Sequence, residues 1–226
     1  MSAPEKVRIA AFDYDDTIVE GQSGLLLARY LRARGLLTAR ALARLVWWGA
    51  RYKLKLPHRQ DEAREAVFSS LVHWDPDRAA ELAADFHEKV LVPRIRRDAV
   101  AEIERRRREG CFLLIVSASF SCIIRPAVAH LGMDGYVATS MERDASGAYT
   151  GKVAGTVTEG PEKAHGIRRF ADERFGHGRW ELAYAYGDHH SDVPMLEAAQ
   201  HAFCVDADSG LARAARQRGW EMLGWE

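Results

Sequence analysis

Residues Val7 to Thr17 read VRIAAFDYDDT, an apolar run that ends in three aspartates within four positions, Asp13, Asp15 and Asp16. The run is short and rich in branched and small residues, the composition of a strand buried on both faces of a parallel sheet. Like charges crowded at the end of such a strand repel one another and add nothing to its stability. Their presence there asks for a ligand that needs them.

Outward from that strand the pattern changes. From Ser23 to Leu91 the chain shows helix-period segments, SGLLLARYLRARG, TARALARLVWWGARYKLKL, RQDEAREAVFSSLV and DPDRAAELAADFHEKVL, punctuated by Pro57 and the Asp75-Pro76 pair. A helix predicted from Pro93 to about Glu109 leads into a second apolar strand, CFLLIVSAS (Cys111 to Ser119), and CIIRPAVAHLG returns as a helix that Gly132 closes. Tyr136 to Val157 alternates around a Ser146-Gly147 turn and predicts a strand and a hairpin. PEKAHGIRRFADERF reads as a helix, ELAYAYGD as a strand, SDVPMLEAA as a helix opened by a Ser-Asp cap and a proline, and HAFCVDAD as the last clear strand. Strands alternating with helices predict an α/β fold: a doubly wound, Rossmann-like parallel-sheet core of residues 1–22 and 92–226, with residues 23–91 inserted as an α-helical cap domain.

Bulk properties narrow the function. A 47% apolar content supports a real core, and 32 basic residues balance 32 acidic ones. No whole-protein field draws the chain to nucleic acid, so no nucleic-acid partner is expected. Cys111, Cys122 and Cys204 are odd in number and lack ligand spacing, which speaks against a disulfide framework or a zinc site and suits a reducing compartment. No run approaches the roughly 18 apolar residues of a membrane span, and MSAPEKVRIAAFD lacks a signal-peptide stretch. The expectation is a cytoplasmic protein with no membrane span.

In an open parallel sheet, ligands bind beyond the carboxyl ends of the strands. Asp13 and Asp15 after the first strand, Ser117 at the end of the second, Lys163 opening a helix, and Asp188 with Asp192 after AYAYG are all expected at that rim. Singly, each has an ordinary reading: an aspartate in a turn, a serine capping a helix, a lysine on a solvated face. Taken together and in this order, DYDDT, the serine of IVSAS, GPEKA and GDHHSD resemble the four motifs of the haloacid dehalogenase-like superfamily. The resemblance runs from Val7 to about Gly210, and the helical insertion between the first two motifs is similar to that of the phosphoserine-phosphatase-like branch.

The resemblance implies a Mg²⁺-dependent phosphatase acting on a phosphate monoester. Asp13 would attack phosphorus and form an aspartyl-phosphate, while Asp15 would give a proton to the leaving oxygen and later take one from water. Ser117 and Lys163 would bind phosphate oxygens. The implied metal ligands are Asp13, the backbone carbonyl of Asp15 and Asp188, with Asp192 either joining them or supporting them from behind. The residues carry the same logic unaided: carboxylates repel a phosphate unless a cation neutralises them, and Mg²⁺ prefers a few carboxylates plus waters and substrate phosphate. Asp16 and Thr17 read as turn residues. His189 and His190 lie inside the fourth motif, but Mg²⁺ favours oxygen over imidazole, which leaves His189 a candidate to touch substrate.

In this superfamily the inserted unit usually decides the substrate. Phosphoserine phosphatases carry a glutamate nine positions after the nucleophile, where this chain has Gln22; Glu20 stands two residues earlier, and Ala118 follows Ser117 where those enzymes have glycine. Phosphoserine is therefore not the expected substrate. LVWWGARYKLKL (Leu45 to Leu56) sets Trp47, Trp48 and Tyr52 beside Arg51, Lys53 and Lys55. Either the aromatics pack into the cap's own core with the bases in water, or they form an amphipathic face for a lipid headgroup or acyl chain. The substrate is accordingly a small or an amphiphilic phosphate monoester, a phosphatidylglycerophosphate-like lipid included, the latter with peripheral membrane contact. Glu20, Gln22, Arg51 and His189 are the specificity candidates. RRRR (Arg105 to Arg108) reads as a solvated stripe late in a helix, favoured there by the dipole, rather than an anionic-lipid patch. Two further functions stand beside the phosphatase: phosphoryl transfer to an acceptor other than water, and a catalytically silent binding module. Retention of Asp13, Asp15, Ser117, Lys163 and Asp188 speaks against silence. Oligomeric state is not legible.

Overall fold

A computed structural model describes residues 6–41, 43, 47, 65 and 76–226. In chain order its strands are β1 (Val7–Phe12), β2 (Phe112–Phe120), β3 (Gly135–Thr139), β4 (Met141–Arg143), β5 (Tyr149–Val153), β6 (Trp180–Gly187), β7 (His201–Val205) and β8 (Glu221–Leu223). The helices are α1 (Ser23–Ala33), α2 (Pro76–Phe86), α3 (Arg97–Arg108), α4 (Ser121–Leu131), α5 (Pro161–Phe175), α6 (Val193–Glu197) and α7 (Ser209–Arg218). Six strands form one parallel sheet in the order β3-β2-β1-β6-β7-β8, and β4 with β5 forms the antiparallel hairpin.

The opening strand sits at the centre of this sheet. Ile9 lies opposite Phe112 on one side and Leu182 on the other, and Phe12 opposite Ile115 and Tyr186. Successive side chains of a strand point to opposite faces. Ala10 and Phe12 accordingly join Leu113 and Ile115 in the core on one face, while Ile9 and Ala11 join Leu114 and Val116 in the core on the other. Burial on both faces is why the strand reads as an unbroken apolar run rather than an alternating one. The strand order reverses between β1 and β6, so the ends of these two strands flank the crevice where such sheets bind ligands.

Helix α5 has the predicted bounds, and α4 ends as expected on Gly132 in the left-handed region at φ 61°. Gly166 lets α5 lie close to β3, because a Cβ there would stand 2.5 Å from Val137 Cγ1. Two elements differ. The helix predicted from Pro93 begins only at Arg97, since residues 92–94 form a 3₁₀ turn and Ile95 and Arg96 are extended. Those extended residues are recruited by the chain that leaves β1: Glu20 N–H donates to Arg94 O at 2.9 Å and Arg96 N–H to Ile18 O at 2.9 Å. The outgoing and returning ends of the insertion are thereby tied into one neck. Beyond β7, α7 and the edge strand β8 extend the sheet further than predicted; three residues carry no readable alternation, although Asp208 and Gly219 cap α7 at its two ends.

The described parts of the insertion are helical and share one apolar cluster with the sheet. Leu27, Tyr30 and Leu31 of α1 and Ala79 and Phe86 of α2 belong to the same buried group as Phe12 and Tyr14. Tyr30 meets Phe86 edge-on, with ring centroids 5.2 Å apart. Trp47 is exposed, whereas Trp48, Arg51, Tyr52, Lys53 and Lys55 lie outside the described residues. Among the described residues no helix is long and apolar enough to cross a membrane.

The arginine run is corrected at one position. Arg106 is buried, not solvated: its Nε donates to Tyr186 Oη at 2.7 Å and its guanidinium pairs with Glu102 at 2.7 Å and Glu109 at 2.8 Å. It also lies 3.6 Å over the Tyr184 ring. The helical period turns this one of four arginines inward, where carboxylates on its own helix compensate its charge.

Candidate active site

Two central strands deliver the carboxylates. Asp13 follows β1 and continues its pairing, donating its N–H to Tyr186 O at 2.9 Å. The side chain is buried, and its Oδ1 accepts the N–H of Tyr14 at 2.7 Å. Lys163, in the first turn of α5, is equally buried, with Nζ 2.7 Å from Asp13 Oδ1 and 2.6 Å from Asp192 Oδ1. Asp188 follows β6, and Thr17 Oγ1 donates to its Oδ1 at 3.2 Å. Asp13, Asp188 and Asp192 each place a carboxylate oxygen within 4.8 Å of the others. Asp192 thus stands in the cluster itself. A Cβ on Gly187 would lie 2.7 Å from the Asp192 side chain, so only glycine admits that carboxylate.

Three carboxylates face one ammonium in a place that water barely reaches, and their proton affinities respond. Burial pushes Asp13 well above the usual carboxylate range, Lys163 opposes this, and Asp192 and Asp188 reinforce it. Asp188 is pushed up to about 7, by burial first and then by Asp192. Burial works against the Lys163 charge, but Asp13 and Asp192 outweigh it and hold the ammonium protonated. An excess of clustered, hard oxygen donors fits a divalent cation, which would offset both the burial and the mutual repulsion that raise Asp13 and Asp188.

Asp15 is held apart from this cluster. Its Oδ1 accepts the N–H of Ser23 at 2.8 Å, and its Oδ2 accepts the Ser119 hydroxyl at 2.8 Å. The hydroxyls of Ser23 and Ser119 touch each other. Burial raises the Asp15 carboxyl above its usual range although these hydrogen bonds pull it down. Ser117 is fully buried, and its Oγ accepts the N–H of Ser119 at 3.0 Å.

Several roles differ from the sequence reading. Asp16 shapes the turn as expected, at φ 56° with Oδ1 accepting Gly21 N–H at 2.8 Å. Thr17 does more than shape the turn, since its hydroxyl holds Asp188. Ser23 and Ser119 carry no motif of their own; the i, i+2 spacing of Ser119 after Ser117 was the one sign that both could face the site. The turn opening α6 is capped reciprocally by His189 and Asp192 rather than by Ser191 and Asp192: His189 Nδ1 accepts Ser191 N–H at 3.3 Å, and Asp192 Oδ2 accepts the His189 N–H at 3.1 Å. Glu20 and Gln22 are exposed, the first in the neck and the second at the start of α1.

A family model described as haloacid dehalogenase-like hydrolase matches residues 10–197. The chain is similar to a probable phosphatase of Mycobacterium tuberculosis, 32% identical over 226 residues, with 99% of this chain and 77% of that one covered. It is also similar to a phosphoserine phosphatase of the same species, 28% identical over 217 residues, with 94% of this chain and 69% of that one covered. A solved structure of a protein with unknown function from Bordetella pertussis Tohama I superposes with a TM-score of 0.86 at 26% identity, over 96% of this chain and 98% of that one. The chain belongs to the haloacid dehalogenase-like hydrolase family, as an enzyme of its phosphatase branch.

Proposed function

We propose that this enzyme is a Mg²⁺-dependent phosphatase that hydrolyses a phosphate monoester through an aspartyl-phosphate on Asp13. The observation that carries the reading is the buried Lys163 ammonium, 2.7 Å from Asp13 and 2.6 Å from Asp192, with Asp188 completing the carboxylate cluster. Asp13, Asp188 and Asp192, with the main-chain carbonyl of Asp15, are the oxygens that would hold Mg²⁺, which when bound neutralises the carboxylates and draws charge from the phosphate.

The protein's own residues divide the remaining work. An Asp13 carboxylate oxygen attacks phosphorus, forming a new P–O bond as the ester P–O bond breaks. Asp15, whose burial favours the protonated form, passes that proton to the departing ester oxygen. Water then attacks the phosphorus of the aspartyl-phosphate while the Asp15 carboxylate takes a proton from that water, and the P–O bond to Asp13 breaks, releasing phosphate and restoring the Asp13 carboxylate. Lys163 and Ser117 bind the phosphate oxygens, and Lys163 also steadies Asp13 before attack.

Residues 23–91 act as the cap in this reading, with Glu20, Gln22, Arg51 and His189 as specificity residues and a small or amphiphilic phosphate monoester as substrate. Exposure of Trp47 supports the amphiphilic choice. The three free cysteines fit a reducing, cytoplasmic setting. The test is phosphate release from an aryl phosphate and from a panel of amino-acid, sugar and lipid phosphates. Wild-type turnover that needs Mg²⁺ and vanishes in Asp13→Asn supports the proposal; full turnover in that variant, or in chelator, overturns it.

A further inference from the structure

Beyond the oxygen-only cluster, a second set of donors converges on the same rim of the sheet. His189 Nε2 and His190 Nδ1 lie 3.1 Å apart, and each stands 3.6 Å from Asp208 Oδ2. These residues come from two loops, the one after β6 and the one after β7. Donors bound at about 2.0–2.1 Å to a tetrahedral ion stand roughly 3.3–3.4 Å from one another. The three observed separations all fall close to that edge length. We propose that His189, His190 and Asp208 form a binding site for a borderline divalent cation of the zinc kind, distinct from the carboxylate site.

The surroundings of each donor prepare it for this role. Asp208 Oδ1 is engaged by Leu211 N–H at 2.7 Å, where it caps α7, which leaves Oδ2 to face the imidazoles. For His189 Nε2 to give its lone pair to an ion the ring proton moves to Nδ1, which then gives up the Ser191 N–H it accepts at 3.3 Å and donates instead to Ser191 Oγ, 3.0 Å away. A Cβ on Gly210 would lie 2.8 Å from His190 Cβ, so glycine at the start of α7 makes room for that histidine. The two loops are also locked together by Asp208 N–H donating to Asp188 O at 2.8 Å. Imidazole nitrogens select Zn²⁺, Ni²⁺ or Cu²⁺ over Mg²⁺, whereas the Asp13, Asp188 and Asp192 set offers oxygen alone. With three protein donors, one tetrahedral position stays open.

The test uses the untagged full chain with saturating Mg²⁺, titrated with Zn²⁺ by calorimetry and with Cu²⁺ by electron paramagnetic resonance. One Zn²⁺ is expected to bind, and Cu²⁺ is expected to show hyperfine coupling to imidazole nitrogen. Both signals are expected to persist in Asp13→Asn, which alters only the oxygen cluster. His190→Ala and Asp208→Asn, the latter keeping an oxygen for the helix cap, are each expected to weaken Zn²⁺ binding by more than about tenfold, the scale on which even indirect partners of a metal act. Gly210→Ala is expected to weaken it without removing a donor. Absence of Zn²⁺ binding beside Mg²⁺ overturns the proposal. So does a nitrogen signature that survives His190→Ala but is lost in His130→Ala, since His87, Glu88 and His130 form a separate cluster elsewhere.

Discussion

Lys163 Nζ bridges Asp13 Oδ1 at 2.7 Å and Asp192 Oδ1 at 2.6 Å, so one ammonium joins a residue after the first strand to one after the sixth. Removing it leaves buried carboxylates without a counter-charge, and breaking a buried pair in this way costs about 3–5 kcal/mol. Lys163→Ala is expected to lose stability on that scale in urea titrations of the metal-free protein. The loss is expected to be smaller at low pH, where Asp13 takes a proton instead. Turnover is expected to fall by at least about 10²-fold, the scale of one lost electrostatic contact to the reacting group. A variant as stable and active as wild type contradicts the bridge's importance.

Asp188 gives the site a dependence on pH. Its carboxyl stands at about 7 in the metal-free fold against an ordinary 3.8, so the folded state holds this proton more tightly than the unfolded chain does. The associated stability is complete below the ordinary value and is lost as pH rises through about 7. The metal-free protein is therefore expected to melt at a lower temperature at pH 8 than at pH 6. Mg²⁺ is expected to raise Tm more at pH 8, where it has no proton to displace. Melting curves in chelator and in Mg²⁺ at both pH values check this, and Asp188→Asn is expected to shrink the difference. An equal Mg²⁺ shift at both pH values counts against the assignment.

Ser119 tunes Asp15. Its hydroxyl donates to Asp15 Oδ2 at 2.8 Å and favours the ionised carboxylate. Ser119→Ala removes that bond, so the Asp15 proton is expected to be held to higher pH. The alkaline limb of kcat/KM, where the required proton is lost, is expected to move upward in the variant. Steady-state rates across the pH range decide it; an unmoved or lowered limb is the contrary result.

Thr17 positions Asp188 through its hydroxyl at 3.2 Å. Thr17→Val keeps the shape and deletes the donor. Affinity for Mg²⁺ is expected to fall by about 10–100-fold, as when a metal ligand loses its supporting hydrogen bond, with the fold unchanged by circular dichroism. Unaltered Mg²⁺ dependence of turnover contradicts this role.

The carboxylate rim was legible because it depends on one rule applied to several strands. A strand buried on both faces cannot hide its pattern, so the run ending at Phe12 placed Asp13 at the sheet's carboxyl edge, and AYAYG placed Asp188 beside it. Ser117 and Lys163 followed from the same alternation of strand and helix. What stayed hidden depends on contacts between segments far apart in sequence. Ser23 lies 96 positions from Ser119, yet both hold Asp15. Arg106 sits in a run of four arginines, and only the helix's rotation relative to Tyr184 and Tyr186 singles it out for burial. His189 offers the same lesson: its ring caps a turn and meets Asp208, a residue that no motif connects to it.

The most direct test of the chemistry is to quench turnover with acid and map phosphoryl groups on the digested protein by mass spectrometry. Phosphate is expected on the peptide that carries Asp13, and neither label nor turnover is expected in Asp13→Asn. Full turnover with no labelled peptide, or label on another residue that persists in Asp13→Asn, contradicts Asp13 as the nucleophile.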